Sequence, residues 1–170
     1  MAPVLGGWHG LAEAGGWRGR VHARPAAHDV GDAGAVEVEV DLDLGTTKVL
    51  RIVAAHDVGR SINPTQVEGQ IHGGIVHGIG NALFEYMRYD DQAQPQSVTL
   101  ADYLMTTATE VPRRQVMFTQ RPAPSNPLGV KGVGELGTIG ATPAVVNAVL
   151  DALVSAGVPR EVAQALQMPL

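Results

Sequence analysis

The stretch Val36-Glu-Val-Glu-Val-Asp-Leu-Asp-Leu-Gly-Thr-Thr-Lys-Val-Leu-Arg-Ile-Val-Ala-Ala55 decides the fold class. Its first half alternates strictly, with Val36, Val38, Val40 and Leu42 set against Glu37, Glu39, Asp41 and Asp43. A period of two places the apolar set on one face of a strand and the acids on the other, so this is a half-buried β-strand. Leu44 to Lys48 supplies a turn, and the more apolar Val49–Ala55 forms a second strand. The two pair as a β-hairpin.

Downstream the period changes. From Thr65 to about Arg88, the residues Val67, Ile71, Ile75, Ile79, Leu83 and Met87 recur every four positions and make one apolar helical stripe. Pro64 suits the first turn of that helix. Gly69, Gly73, Gly74, Gly78 and Gly80 lie in the same segment, and each disfavours a helix by about 1 kcal/mol relative to Ala. So many glycines point to close approach by another backbone or a bulky ligand. Leu100–Ala108 is expected to hold a short helical turn and Gln115–Gln120 a strand. Pro143–Val154 reads as a buried helix ended by Gly157 and Pro159, with a short terminal helix over Arg160–Leu166. The sum is an α+β fold, a small sheet with a β-hairpin packed against two long helices, one of them glycine-rich.

Residues 1–34 differ from the rest, holding eight of the 21 glycines and three of the six histidines. Their apolar residues follow no period, so this is expected to be an unpatterned, disordered N-terminal extension to a domain at 35–170. Hydrophobic residues make up 45% of the chain, enough for a core. A formal net charge of -5, with acids and bases interspersed, argues against nucleic-acid and anionic-membrane partners, which need a basic face. No apolar run is expected to cross a bilayer, and a cytoplasmic location is the default. The chain has no cysteine, which excludes disulfides, Cys-based zinc sites and iron–sulfur clusters ligated by this chain.

The stretch with most chemistry is Pro127-Leu-Gly-Val-Lys-Gly-Val-Gly-Glu-Leu-Gly-Thr-Ile-Gly-Ala-Thr-Pro143, one carboxylate, Glu135, in a glycine-rich loop before a helix. Enclosure there would raise its pKa toward what a neutral-pH base needs, although an acid in such a loop is otherwise a solvated charge. Gly132-Val-Gly134-Glu-Leu-Gly137 matches a dinucleotide fingerprint by letter, but no strand immediately precedes it. His72 and His77 point about 140° apart on a helix and cannot share a metal. No metal ligands are assigned.

Several ordered motifs carry a resemblance: His56-Asp-Val-Gly-Arg-Ser-Ile-Asn-Pro64, Val67-Glu-Gly-Gln-Ile-His-Gly-Gly74, Gly78-Ile-Gly-Asn-Ala-Leu-Phe-Glu85 and Lys131-Gly-Val-Gly-Glu135. In this order they resemble the C-terminal part of the molybdopterin-binding large subunit of molybdenum hydroxylases, the xanthine dehydrogenase and aldehyde oxidase family. Residues 1–34 carry none of these motifs. The resemblance implies a molybdenum–molybdopterin cofactor, in its cytosine dinucleotide form if the source is bacterial, with the metal held by the pterin dithiolene. It gives Glu135 the role of general base toward a Mo–OH group in the hydroxylation of aldehydes or N-heterocycles. Gln70, Gly73, Gly74 and Lys131 are then cofactor-binding residues, as are Gly132, Gly134, Gly137, Thr138 and Gly140. Implied partners are the remainder of the molybdopterin-binding subunit, an iron–sulfur subunit and often a flavin subunit. Activity is expected only when these are joined. Two other readings stay open: a non-catalytic remnant that exposes its former interface, and a stand-alone module for a small, nucleotide-like ligand.

Overall fold

The computed structural model describes residues 18–22, 26–28 and 32–165. Along these residues run β1 (Arg18–His22), β2 (Ala26–His28), β3 (Asp32–Asp41), β4 (Thr46–Asp57), α1 (Pro64–Leu83), β5 (Arg113–Thr119), α2 (Leu136–Ser155) and α3 (Arg160–Ala165). The sheet order is β1-β3-β4-β5, with β2 also on β3. All pairs are antiparallel except β4 with β5, which is parallel. A parallel pair needs a crossover, and α1 lies within it. The α+β expectation holds, with a mixed sheet and both long helices.

The hairpin expected from the alternation is β3–β4. Its turn ends earlier than expected, because Gly45 at φ 62° makes the reversal and Thr46 already pairs with Asp41. Register runs Glu37↔Arg51 and then Val38↔Val49, so Leu50 is an extra residue on β4. This bulge explains why Val49 and Ile52, three apart, are both buried beside Val38 and Val36. The two short strands β1 and β2 lie within the stretch expected to be unpatterned. That expectation fails for these residues, since pairing along β3 supplies order that no sequence period announces. Residues 1–17 lie outside the described residues.

Asn63 caps α1, its Oδ1 accepting from Gln66 N at 3.3 Å, and Pro64 follows at the start of the helix. Val67, Ile71, Ile75, Ile79 and Leu83 are buried as the stripe requires. Each contributes about 1.5–3 kcal/mol by leaving water. The helix stops at Leu83 instead of Arg88, so Met87 is exposed. Phe84 N–H and Glu85 N–H both donate to Gly80 O at 2.9 Å, ending the regular ladder. The segment Leu100–Ala108 makes only turns.

The largest difference is α2, which begins at Leu136 and not Pro143. Half of the expected glycine loop is therefore helix, and Pro143 lies inside it. Packing against α1 overrides the low propensity of Gly137 and Gly140. By length and composition α2 is also apolar enough to span a bilayer, contrary to expectation. Its buried face, including Ala144, Val145, Ala148 and Val149, instead belongs to the same core as Val36, Val38, Ile52, Ile71 and Ile75. Both long helices cover one face of the sheet.

Candidate functional site

The two long helices cross on glycine. A Cβ on Gly74 would lie 2.9 Å from Gly137 Cα and 2.9 Å from Thr138 N, and one on Gly137 would lie 2.5 Å from Ile71 O. Thr138 Oγ1 donates to Gly74 O at 3.0 Å, and one turn on Thr142 Oγ1 donates to Gly78 O at 3.4 Å. The start of α2 is thereby seated on residues Ile71 to Ile75 of α1. Gly74, Gly137 and Thr138, expected at a cofactor, also make this crossing.

Glu135 heads α2. Its backbone, at φ -110° and ψ -9°, accepts from Thr138 N and Ile139 N at 3.1 Å, while its side chain makes no capping bond. The carboxylate is exposed. Gln70 is exposed too, one residue before the seat of α2 on α1. Gly69, Gly73, Gly132, Gly134 and Gly140 form a second class: a Cβ on any of them would meet nothing within 4 Å. Gly69 and Gly73 are exposed in α1, and Gly132 and Gly134 in the loop before Glu135. The crossing seats Gly137, two residues after Glu135, on Ile71 and Gly74, the sequence neighbours of the exposed Gln70 and Gly73.

Lys131 is placed differently. Its Nζ donates to Asp57 Oδ2 at 2.7 Å, and Asp57 Oδ1 accepts from Gly59 N and Arg121 N, both at 3.1 Å. The Lys131 hydrogen bond, more than the two backbone bonds, holds the Asp57 carboxyl down at about 2. Sequence reasoning missed this partner of Asp57, 74 positions away. No sequence signal links the two.

The histidines separate as their spacing implies. His72 Nδ1 accepts from Arg114 Nε at 3.0 Å, and its Nε2 lies 3.6 Å from Glu68, while His77 is exposed. Among the described residues no group of His, Cys, Asp and Glu could hold a metal. At the far end of α1, Tyr103 OH donates to Glu85 Oε2 at 2.8 Å.

Comparison with known proteins identifies the family. Residues 10–112 match the molybdopterin cofactor-binding domain, so the chain belongs to the family of molybdenum hydroxylase molybdenum-binding subunits. The match begins well inside the segment expected to carry no family likeness, which corrects that expectation. The chain is 40% identical over 119 residues to 6-hydroxypseudooxynicotine dehydrogenase complex subunit gamma of Paenarthrobacter nicotinovorans, covering 69% of this chain and 15% of that one. It is 38% identical over 115 residues to the carbon monoxide dehydrogenase large chain of Afipia carboxidovorans, covering 68% and 14%. Quinoline 2-oxidoreductase from Pseudomonas putida 86 superposes with a TM-score of 0.71 at 44% identity, covering 73% of this chain and 16% of that one. The chain thus spans about 15% of the length of such relatives.

Proposed function

We propose that this chain is the part of a cytoplasmic molybdenum hydroxylase that walls one side of the cofactor and supplies the general base, Glu135. The observation that supports the reading is the helix crossing, which seats Gly137, two residues after Glu135, against Ile71 and Gly74, next in sequence to the exposed Gln70 and Gly73. Glycines on an exposed helix face are unfavourable by about 1 kcal/mol each. Gly69 and Gly73 carry that penalty without any contact inside the described chain, which supports an occupant from outside it.

The donor set fits the implied cofactor. A metal held by its own organic ligand, as in a molybdenum–pterin, asks for no cysteine and no cluster of metal-ligating side chains, and the described residues offer neither. When bound, that group supplies the two-electron oxidation. Gln70 presents an amide that both donates to and accepts from a pterin. The N-terminus of α2 suits anionic oxygens, such as those of a cytosine dinucleotide form. Glu135 accepts the proton of the hydroxylating oxygen nucleophile, and the carbon oxidised belongs to an aldehyde or an N-heterocycle. Quinoline, in the name of one structural relative, favours the heterocycle.

Glu135 is exposed, so the enclosure a base needs has to come from the cofactor and the remainder of the subunit. Exposed Tyr86, Val98, Leu100 and Met105 favour such a covering partner over a self-sufficient ligand module. Electrons then leave through an iron–sulfur subunit and often a flavin subunit, as the family resemblance implies, and this chain has no thiol to hold a cluster itself. In the assembled enzyme, Glu135→Gln keeps shape and removes basicity. Turnover should fall at least ~10²-fold with molybdenum and pterin content unchanged. Unaltered turnover would overturn the assignment.

A further inference from the structure

Three loops meet at one carboxylate. Asp57 ends β4, and its Oδ1 holds Gly59 N of the loop after β4 and Arg121 N of the loop after β5. Its Oδ2 holds Lys131 Nζ at 2.7 Å, four residues before Glu135. The Asp57 side chain is only 10% exposed and that of Lys131 35%.

The backbone around this pair is knitted by the same partners. Gly129 O accepts from Arg60 N at 2.8 Å and from Ala123 N at 3.0 Å, and Gly59 bridges Val130. Asn126 closes its own loop, with Nδ2 donating to Val130 O at 2.9 Å and Oδ1 accepting from Val130 N at 3.2 Å. Gly59 has to be glycine here, since at φ 62° a Cβ would sit 2.7 Å from Gly129 O and 2.8 Å from Lys131 Cγ. After Val130 the knitting stops. Gly132 and Gly134 have open surroundings, with Val133 between them packed against the core, so the last side chain held by a hydrogen bond before Glu135 is that of Lys131. α2 holds Glu135 from the other side through its crossing with α1.

We infer that Asp57 and Lys131 are positioning residues for Glu135, and that the Lys131 ammonium is committed to this ion pair instead of to a cofactor anion. This rests on the reading of Glu135 as the catalytic base. The pair anchors the run Gly132–Gly134 at one end and α2 anchors it at the other, with Val133 packed on the core between them, so the carboxylate is presented from a short span fixed at both ends. Lysine suits the task, because its long stem reaches across to Asp57 while the backbone stays at the surface.

Hydrogen–deuterium exchange on the full 170-residue chain tests this without cofactor or turnover. Lys131→Met should raise exchange across residues 126–138 at least about 5-fold, the scale of losing a charged hydrogen bond. Exchange in α1 at 71–83 should not move. Lys131→Arg, which keeps the ion pair, should return the loop to within about 2-fold of the parent. Asp57→Asn should match Lys131→Met. If Asp57→Asn does not fold, Lys131→Met decides alone, because a part-exposed lysine can lose its charge without opening the core. Unchanged loop exchange in Lys131→Met, or equal exchange in the Met and Arg variants, overturns the inference. In either case Lys131 does not position the loop that carries Glu135. A null result for Glu135→Gln would fail the base assignment while leaving this loop measurement standing.

Discussion

Gly73 and Gly74 are adjacent in α1 and have opposite surroundings. A Cβ on Gly74 would meet Gly137 Cα at 2.9 Å, whereas one on Gly73 would meet nothing within 4 Å. Gly74→Ala must push two helix backbones apart, a displacement that overpacked cores resist by about 1–3 kcal/mol. Gly73→Ala meets no obstacle and gains helix propensity, so it should stabilise the chain by up to about 1 kcal/mol. Urea titration of both variants measures the pair of signs. Equal stability of parent and Gly74→Ala would mean that the crossing is looser than its geometry. A helix position that is improved by alanine yet holds glycine is what a surface reserved for an occupant looks like. The sequence displayed all five glycines of this helix alike, because their difference lies in what α2 brings beside them.

Legibility at the scale of elements followed the same divide. The β3 alternation and the α1 stripe were readable because each is a local period with one buried face. The start of α2 was not, because Gly137, Gly140 and Pro143 are poor helix residues, and the segment is held by tertiary contact of Gly137, Ala141 and Thr142 with Gly74 and Gly78. The parallel partnership of β4 and β5 was invisible, since strands separated by α1 leave no mark of pairing on one another. Asp57 joins those same elements, and its titration should show in stability. Its carboxyl is lowered from 3.8 to about 2, chiefly by Lys131. A depressed acid contributes stability that is fully present above its unfolded value and is lost as pH falls toward its folded one. The parent should therefore exceed Lys131→Met in urea midpoint above about pH 4, and the gap should close toward pH 2, the range set by that shift. Groups unaffected by the substitution titrate equally in both chains and cancel. A gap that persists unchanged at pH 2 would show that Lys131 stabilises by its stem and not by its charge.

At the scale of the whole molecule, the polar connections between Leu83 and Arg113 carry an apolar load that the fold does not bury. Val98 is 66% exposed and Leu100 80%, and Tyr86, Tyr89 and Met105 are each more than half exposed. The segment is not loose around them. Gln96 N donates to Arg88 O at 2.7 Å, Ser97 Oγ donates to Tyr86 O at 3.0 Å, and Tyr103 is tied to Glu85. Apolar side chains displayed on a hydrogen-bonded scaffold are an interface by the usual reading of exposed apolar surface. In a chain that spans about 15% of its relatives' length, the covering partner we propose is the remainder of the subunit. Full chain produced alone should therefore self-associate through this face. Replacing Val98, Leu100 and Met105 together by serine should weaken that association more than about 10-fold, since each buried side chain of this size is worth about 1.5–3 kcal/mol. Folded stability should stay within about 0.5 kcal/mol, because the three touch little of the core. Sedimentation velocity across a concentration series reads the association, and a chain that is monomeric at every concentration would remove the interface. The same triple variant, co-expressed with the rest of a molybdenum-binding subunit, should assemble poorly while Glu135→Gln assembles normally. That contrast separates the surface that joins the subunit from the residue that works inside it.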